Sequence, residues 1–157
     1  MKMISCFLLF FLFLSSVVAA DVETEAEKIL KSSVDKVFTV MLDKEMTLDQ
    51  KKIKVIEITD TVFGYPLMAK LSIGKKHWSE FNTEQRAEFT KLFTDAFRRF
   101  YVDKLDLFSN EEVVFKPATV VKGKKVQIPT MLLSNGKKYS ILYKMSNGKT
   151  GWRIYDI

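Results

Sequence analysis

Few side chains in this chain could do chemistry. There is one histidine, His77, set between Lys76 and Trp78, and one cysteine, Cys6. A histidine base needs a partner to orient its ring, and a thiol dyad or metal site needs a second histidine or cysteine. Cys6 lies in an N-terminal stretch that reads as a cleavable signal, so residues 21–157 supply neither. Asp60, in an otherwise apolar stretch, is the best acid candidate, and Asp156 is the next. Carboxylates in such settings more often serve a structural hydrogen bond than a reaction. No glycine-rich loop is present to cradle a phosphate, so the chain is not expected to use a nucleotide. The expectation is a protein that is not an enzyme, with no cofactor and no metal.

What remains is apolar chemistry. Residues Phe63 to Tyr101 hold a short helix with clear stops, the tryptophan Trp78 and a long helix with a wide apolar face. Phe89, Leu92, Phe93, Ala96, Phe97, Phe100 and Tyr101 follow the three-four spacing of a helix. A Phe-rich face is usually ordinary core. Large flexible side chains such as Met41, Met68, Met131 and Met145 can also line an adaptable cavity.

The elements that must position these residues fall into two halves. Asp21 to Asp43 reads as a helix, with Ala26, Ile29, Leu30, Val34, Val37, Phe38 and Met41 at helical spacing. Thr47-Leu48-Asp49-Gln50 fits a capping box opening a second helix. Ile53, Val55, Ile56, Ile58, Val62 and Phe63 make that helix apolar on more than one side, which predicts deep burial. Pro66 suits the first turn of a third helix and Gly74 the position past its end. Asn82 or Thr83 caps a fourth, reaching about Leu107.

Beyond Asn110 the hydrophobic period becomes two. The pattern predicts strands over 112–121, 124–133, 138–146 and 150–157. Lys122-Gly123, Asn135-Gly136 and Asn147-Gly148 separate them as hairpin turns. Pro117 and Pro129 mark edges or bulges. The expected fold is α+β, with N-terminal helices packed on one face of a C-terminal four-stranded antiparallel meander.

The N-terminus reads as a cleavable signal. Met1 and Lys2 precede an apolar run from Met3 to Leu14, and Val18 and Ala20 suit cleavage before Asp21. The run is shorter than the ~20 residues a spanning helix needs. Residues 21–157 then form one domain without cysteine, expected outside the cytoplasm. The formal net charge is +6, with lysines spread along the chain. Most suit solvated turns and strand ends. The sharper reading is attraction to anionic lipid headgroups or an acidic partner. Nucleic acid is not expected as a partner, because no dense basic stripe interleaves with exposed aromatics.

The order and spacing of several motifs resemble the MlaC family, periplasmic phospholipid-binding components of a retrograde lipid-transport system, also known as toluene-tolerance or ABC-transporter auxiliary proteins. The matching residues are Phe63, Tyr65, Met68-Ala69, Ile73-Gly74 and Trp78, then Thr83, Gln85-Arg86, Phe89 and Phe93, then Tyr101. The final Gly151-Trp152-Arg153-Ile154-Tyr155-Asp156-Ile157 is similar to the family's last strand. The resemblance runs from about Asp21 to the end. It departs at Gly64, where aspartate is commoner, and at Ile157, beyond which the family usually continues into a further helix.

The resemblance implies a monomeric periplasmic carrier that shuttles phospholipid between outer and inner membranes. Its partners would be an outer-membrane lipoprotein–porin complex and an inner-membrane ABC transporter with an MCE-domain ring. Acyl tails would lie between helices and sheet. The apolar positions expected to meet them are Val62, Phe63, Met68, Phe93, Phe97, Tyr101, Phe115, Ile128, Tyr143 and Trp152. Two other readings stand beside it: an exported protein-interaction module with a solid core and no ligand cavity, and a small enzyme on an apolar substrate with Asp60 as base.

Overall fold

In the computed structural model, which describes residues 24–109 and 111–157, four helices precede an antiparallel sheet. The signal-peptide reading falls on residues 1–20, outside the described residues. Helix α1 spans Glu25–Leu42, α2 Leu48–Asp60, α3 Tyr65–Glu80 and α4 Thr83–Val102. Three of the four open on a full capping box. Thr24 pairs with Glu27, Thr47 with Gln50, and Asn82 with Gln85. In each, the two side chains satisfy backbone donors that the first helical turn leaves orphaned.

Helix α3 starts on Gly64 with Pro66 in its first turn, as the sequence predicts, but it does not stop at Gly74. That residue takes φ +77 and breaks the helical geometry, after which the chain turns helical again to Glu80. The space around Gly74 is open, so its φ alone favours glycine. Helix α4 ends at Val102, with a single 3-10 turn at Leu105–Leu107.

The sheet contains β1 (Glu112–Phe115), β2 (Thr119–Lys122), β3 (Lys125–Ser134), β4 (Lys137–Gly148) and β5 (Gly151–Asp156). The expected first strand is split in two. Both β1 and β2 pair with the same edge of β3, so the four-stranded meander survives with a break in its first member. Between the pairs Phe115↔Thr130 and Thr119↔Gln127, Lys116, Pro117 and Ala118 face only Ile128 and Pro129. The extra residue is a bulge centred on Pro117. Lys116 N–H donates to the Pro129 carbonyl at 2.9 Å, so the missing Pro129 N–H faces this same bulge, where no ladder bond is needed.

The turns obey the sequence in part. Asn135 and Gly136 both take positive φ, as a tight hairpin requires. Asn147-Gly148 instead stays in β4. Gly148 pairs with Gly151 and the loop is Lys149-Thr150.

The core lies where α1 crosses the sheet. Ala26 and Leu30 pack with Val62 and with Val126, Ile128, Met145 and Ile154 from β3, β4 and β5. Helices α1 and α2 pack together, as do α3 and α4. Helix α2 is less buried than its apolar residues suggest. Only Val55 is buried, and Ile53 is 58% exposed. No described helix is long and apolar enough to cross a membrane.

A backbone contact also joins the α2–α3 link to the sheet. The link between α2 and α3 lies beside β5 as a parallel bridge between Phe63 and Ile154. Gly64 N–H donates to the Ile154 carbonyl and Ile154 N–H to the Val62 carbonyl, each at 2.8 Å. A Cβ on Gly64 would sit 3.2 Å from both the Ile154 oxygen and the Arg153 Cβ. Glycine is what lets the link come this close. Replacing Gly64 with Ala should therefore cost between about 1 and 3 kcal/mol by overpacking the bridge. Urea unfolding checks this, and an unchanged midpoint would show that the link yields freely.

Candidate functional site

Two hollows flank the link, the first lined mainly by apolar side chains and the second by apolar and polar ones. The first lies under α1. Leu30, Ser33, Val34, Val37 and Phe38 form its roof, Thr59, Val62 and Phe63 one side, and Val113, Tyr143 and Ile154 the sheet floor. Its volume is about 190 Å³. The second is a groove of about 610 Å³ between α3, α4 and the sheet. Met68, Leu71, Phe93 and Phe97 supply its apolar wall, with Tyr155 and the Lys144–Asp156 ion pair on its rim.

A cluster of aromatic rings stands between them. The Phe63 ring, which lines the first hollow, meets Phe97, which lines the groove, edge-to-face at 5.2 Å. Tyr65 lies 5.7 Å from Phe63, and Tyr101 lies 6.2 Å from Phe63 and 5.9 Å from Phe97. Phe93 stacks on Phe97 at 6.0 Å. Such pairs are worth roughly 0.5–1.5 kcal/mol beyond their burial, enough to define a wall but not to lock it. None of the residues of α4 is fully buried. Its aromatic face borders space rather than close-packed core.

Polar groups hold the wall from behind. Arg98 on α4 grips Asp60 at the end of α2 with both arms. Nε donates to Oδ1 at 3.0 Å and a terminal nitrogen to Oδ2 at 2.6 Å. The Tyr65 hydroxyl also donates to Oδ1 at 3.1 Å, and the guanidinium lies 5.4 Å over the Tyr65 ring. Thr59 and Tyr101 share a hydrogen bond at 2.7 Å. Three helices are thereby tied together around the rings. The fork geometry makes the Arg98–Asp60 pair stronger than a single-point bridge.

Asp60 thus has a partner that the sequence did not indicate, 38 residues away. Three donors already occupy its carboxylate, which is the structural role rather than that of a free base. Asp156 is likewise bound, to Lys144 at 2.7 Å. His77 is exposed, with Nδ1 at 3.5 Å from Glu80. Among the described residues no group of three or more metal-binding side chains converges.

The expected lipid-facing residues separate into groups. Val62, Phe63 and Tyr143 line the first hollow. Met68, Phe93 and Phe97 line the groove. Tyr101 belongs to the wall between. Phe115, Ile128 and Trp152 line neither hollow. Ile128 is fully buried in the core, Phe115 and Trp152 pack against that core, and the Trp152 indole N–H donates to Glu25 at 3.1 Å. The roof from α1 was not foreseen, although Leu30, Val34 and Val37 share one helical face in the sequence. Leu71 and Tyr155 were also missed.

This fold defines a small α+β domain with open space on either side of an aromatic wall. The family model for MlaC protein matches residues 31–157, and the chain belongs to the MlaC family. Among solved structures, it is similar to a phospholipid-binding protein from Ralstonia solanacearum determined in complex with a phospholipid. The two are 22% identical, the match covers 85% of this chain and 76% of that one, and the TM-score is 0.72. An NTF2-like protein from Campylobacter jejuni is more distant, with 11% identity over 83% of this chain and 97% of that one, and a TM-score of 0.45. No curated protein matches the chain.

Burial pushes the Tyr65 phenol well above its usual value of 10.0, helped by Tyr101 and Asp60, and burial also raises that of Tyr143. Below pH 10 folded and unfolded chains both keep these phenols protonated, so they exert no pH dependence. Above it the unfolded chain gains by ionising while the folded one cannot, and stability falls. Chemical denaturation across pH 8–11 should show this alkaline loss, with a shallower slope in Tyr65→Phe. An identical slope in the variant would place the ionisation elsewhere.

Proposed function

We propose that this protein is a periplasmic phospholipid carrier that moves lipid between the outer and inner membranes. Its acyl tails lie in the hollows on either side of the Phe63–Phe97 wall. The observation that carries this reading is the half-buried aromatic face of α4, which borders a groove of about 610 Å³ instead of solid core. Membership of the MlaC family, and a fold shared with a phospholipid-binding protein, support it.

The first hollow, at about 190 Å³, is smaller than the ~300–1,000 Å³ typical of ligand sites. Loading then requires the rings between the hollows to move, which contacts worth about a kcal/mol each permit. Burying two chains of roughly fifteen methylenes is worth ~24 kcal/mol against water, at ~0.8 kcal/mol each. A lipid therefore does not cross an aqueous space bare. A bilayer offers the same tails nearly the same gain, so exchange between pocket and membrane is close to balanced. Direction then has to come from partners. The family suggests an outer-membrane lipoprotein–porin complex on one side and an MCE-domain ABC transporter on the other. In this reading the protein acts as a monomer and binds, rather than transforms, its lipid.

Native mass spectrometry of protein purified from cells should show a co-purifying diacyl phospholipid. Val34→Trp, which fills the first hollow from its roof, should lower lipid occupancy at least fivefold while the protein remains folded. A lipid-free mass for the unaltered protein would overturn the carrier reading and favour a module that binds only protein.

A further inference from the structure

Charge is segregated along this chain in a way that its net value hides. Residues 113–155 contain none of the 19 acidic residues and nine of the 25 basic ones. The rest of the chain carries a slight acidic excess. The sheet adds only its two end acids, Glu112 and Asp156, so the nine basic residues of this segment account for the protein's positive charge.

The topology concentrates part of it at one end. In an antiparallel meander alternate turns share an end, so the β2–β3 and β4–β5 turns lie together and the β3–β4 turn lies opposite. The first two turns are tied directly, with Asn147 N–H donating to the Lys124 carbonyl at 2.9 Å. Lys124, Lys125 and Lys149 are exposed there. Lys125 lies 5.4 Å over the Tyr155 ring.

Apolar residues interleave with these lysines. Val120 and Val121, on the β2 arm of the first turn, are 57% and 46% exposed. On the other side Leu67 lines a small hollow with Gly148, Thr150, Gly151, Arg153 and Tyr155. Leu71, one helical turn further along α3, is 51% exposed and lines the large groove, as does Tyr155. The basic end therefore adjoins the groove's rim.

We infer that this end is a membrane-docking surface, which rests on an anionic bilayer with its valines at the headgroup level and its lysines among the phosphates. Exposed aliphatic side chains set among spread-out lysines suit a fluid, diffuse array of negative charge. A specific acidic protein partner would call for fixed, paired contacts instead. The surface takes its purpose from the carrier reading, because it would bring the groove to the membrane, but it stands on the charge distribution and can fail separately.

The test is co-sedimentation of the full protein with phosphatidylcholine vesicles, with and without phosphatidylglycerol. The protein should bind only the anionic vesicles and release in high salt. Each basic residue near such a surface contributes about a fivefold factor. K124E/K149E should thus lower partition at least twentyfold, whereas K137E/K138E at the opposite end should change it less than threefold. V120S/V121S should weaken binding to the anionic vesicles at low salt. Circular dichroism confirms folding of these exposed-site variants. No binding to anionic vesicles, or equal losses from both ends, would overturn the inference. Lipid co-purifying from cells with no vesicle binding would remove the docking surface and leave the carrier reading intact.

Discussion

The structure turns on the backbone bridge between Phe63 and Ile154. Two hydrogen bonds of 2.8 Å pin the α2–α3 link to the edge of β5. Edge strands expose unpaired donors and acceptors, and the link covers part of this one. It also fixes where α3 begins and where the Phe63 ring points. Together with the bonds from Thr59 and Asp60 on α2 to Tyr65, Arg98 and Tyr101, that attachment sets α3 and α4 relative to the core under α1. Gly64 makes the approach possible, since any larger residue meets β5.

From that fixed point the aromatic wall follows. Phe63 reaches Phe97, and Phe97 reaches Phe93 and Tyr101, so the side chains of a link and a helix divide the interior in two. The wall has contrasting supports. The rings meet through weak contacts that can rearrange. Behind them, Asp60, Arg98 and Tyr65 hold the three helices by directional bonds. That division would let the interior change volume, as the carrier reading requires, without loss of the fold.

Local signals were legible in the sequence because they depend on neighbours. The capping box at Thr47, the Pro66 start and the Asn135-Gly136 turn are where the pattern put them, and the fourth helix is capped by Asn82, one of the two residues the pattern offered. The α+β order was legible for the same reason. Long-range pairings were not. Nothing near Asp60 announces Arg98, and nothing near Phe63 announces Ile154. The bulge at Pro117 was suggested by the proline, but the split into two strands depends on its register against β3. Burial misled in one place. Helix α2 looks apolar on several sides, yet the core reaches it mainly at Val55, leaving Ile53 in solvent. The candidate site was half legible: the residues of α3 and α4 were found, and the α1 roof was overlooked although its spacing was visible.

The central claim is that apolar ligand lies on either side of the Phe63–Phe97 contact. Anomalous diffraction from crystals loaded with a phospholipid brominated along its acyl chains tests it most directly. The account predicts bromine peaks among Leu30, Val34 and Tyr143, and others beside Met68 and Phe93, with Phe63 and Phe97 displaced from their 5.2 Å contact. Bromine found only on the outer surface, with that contact unchanged, would contradict it.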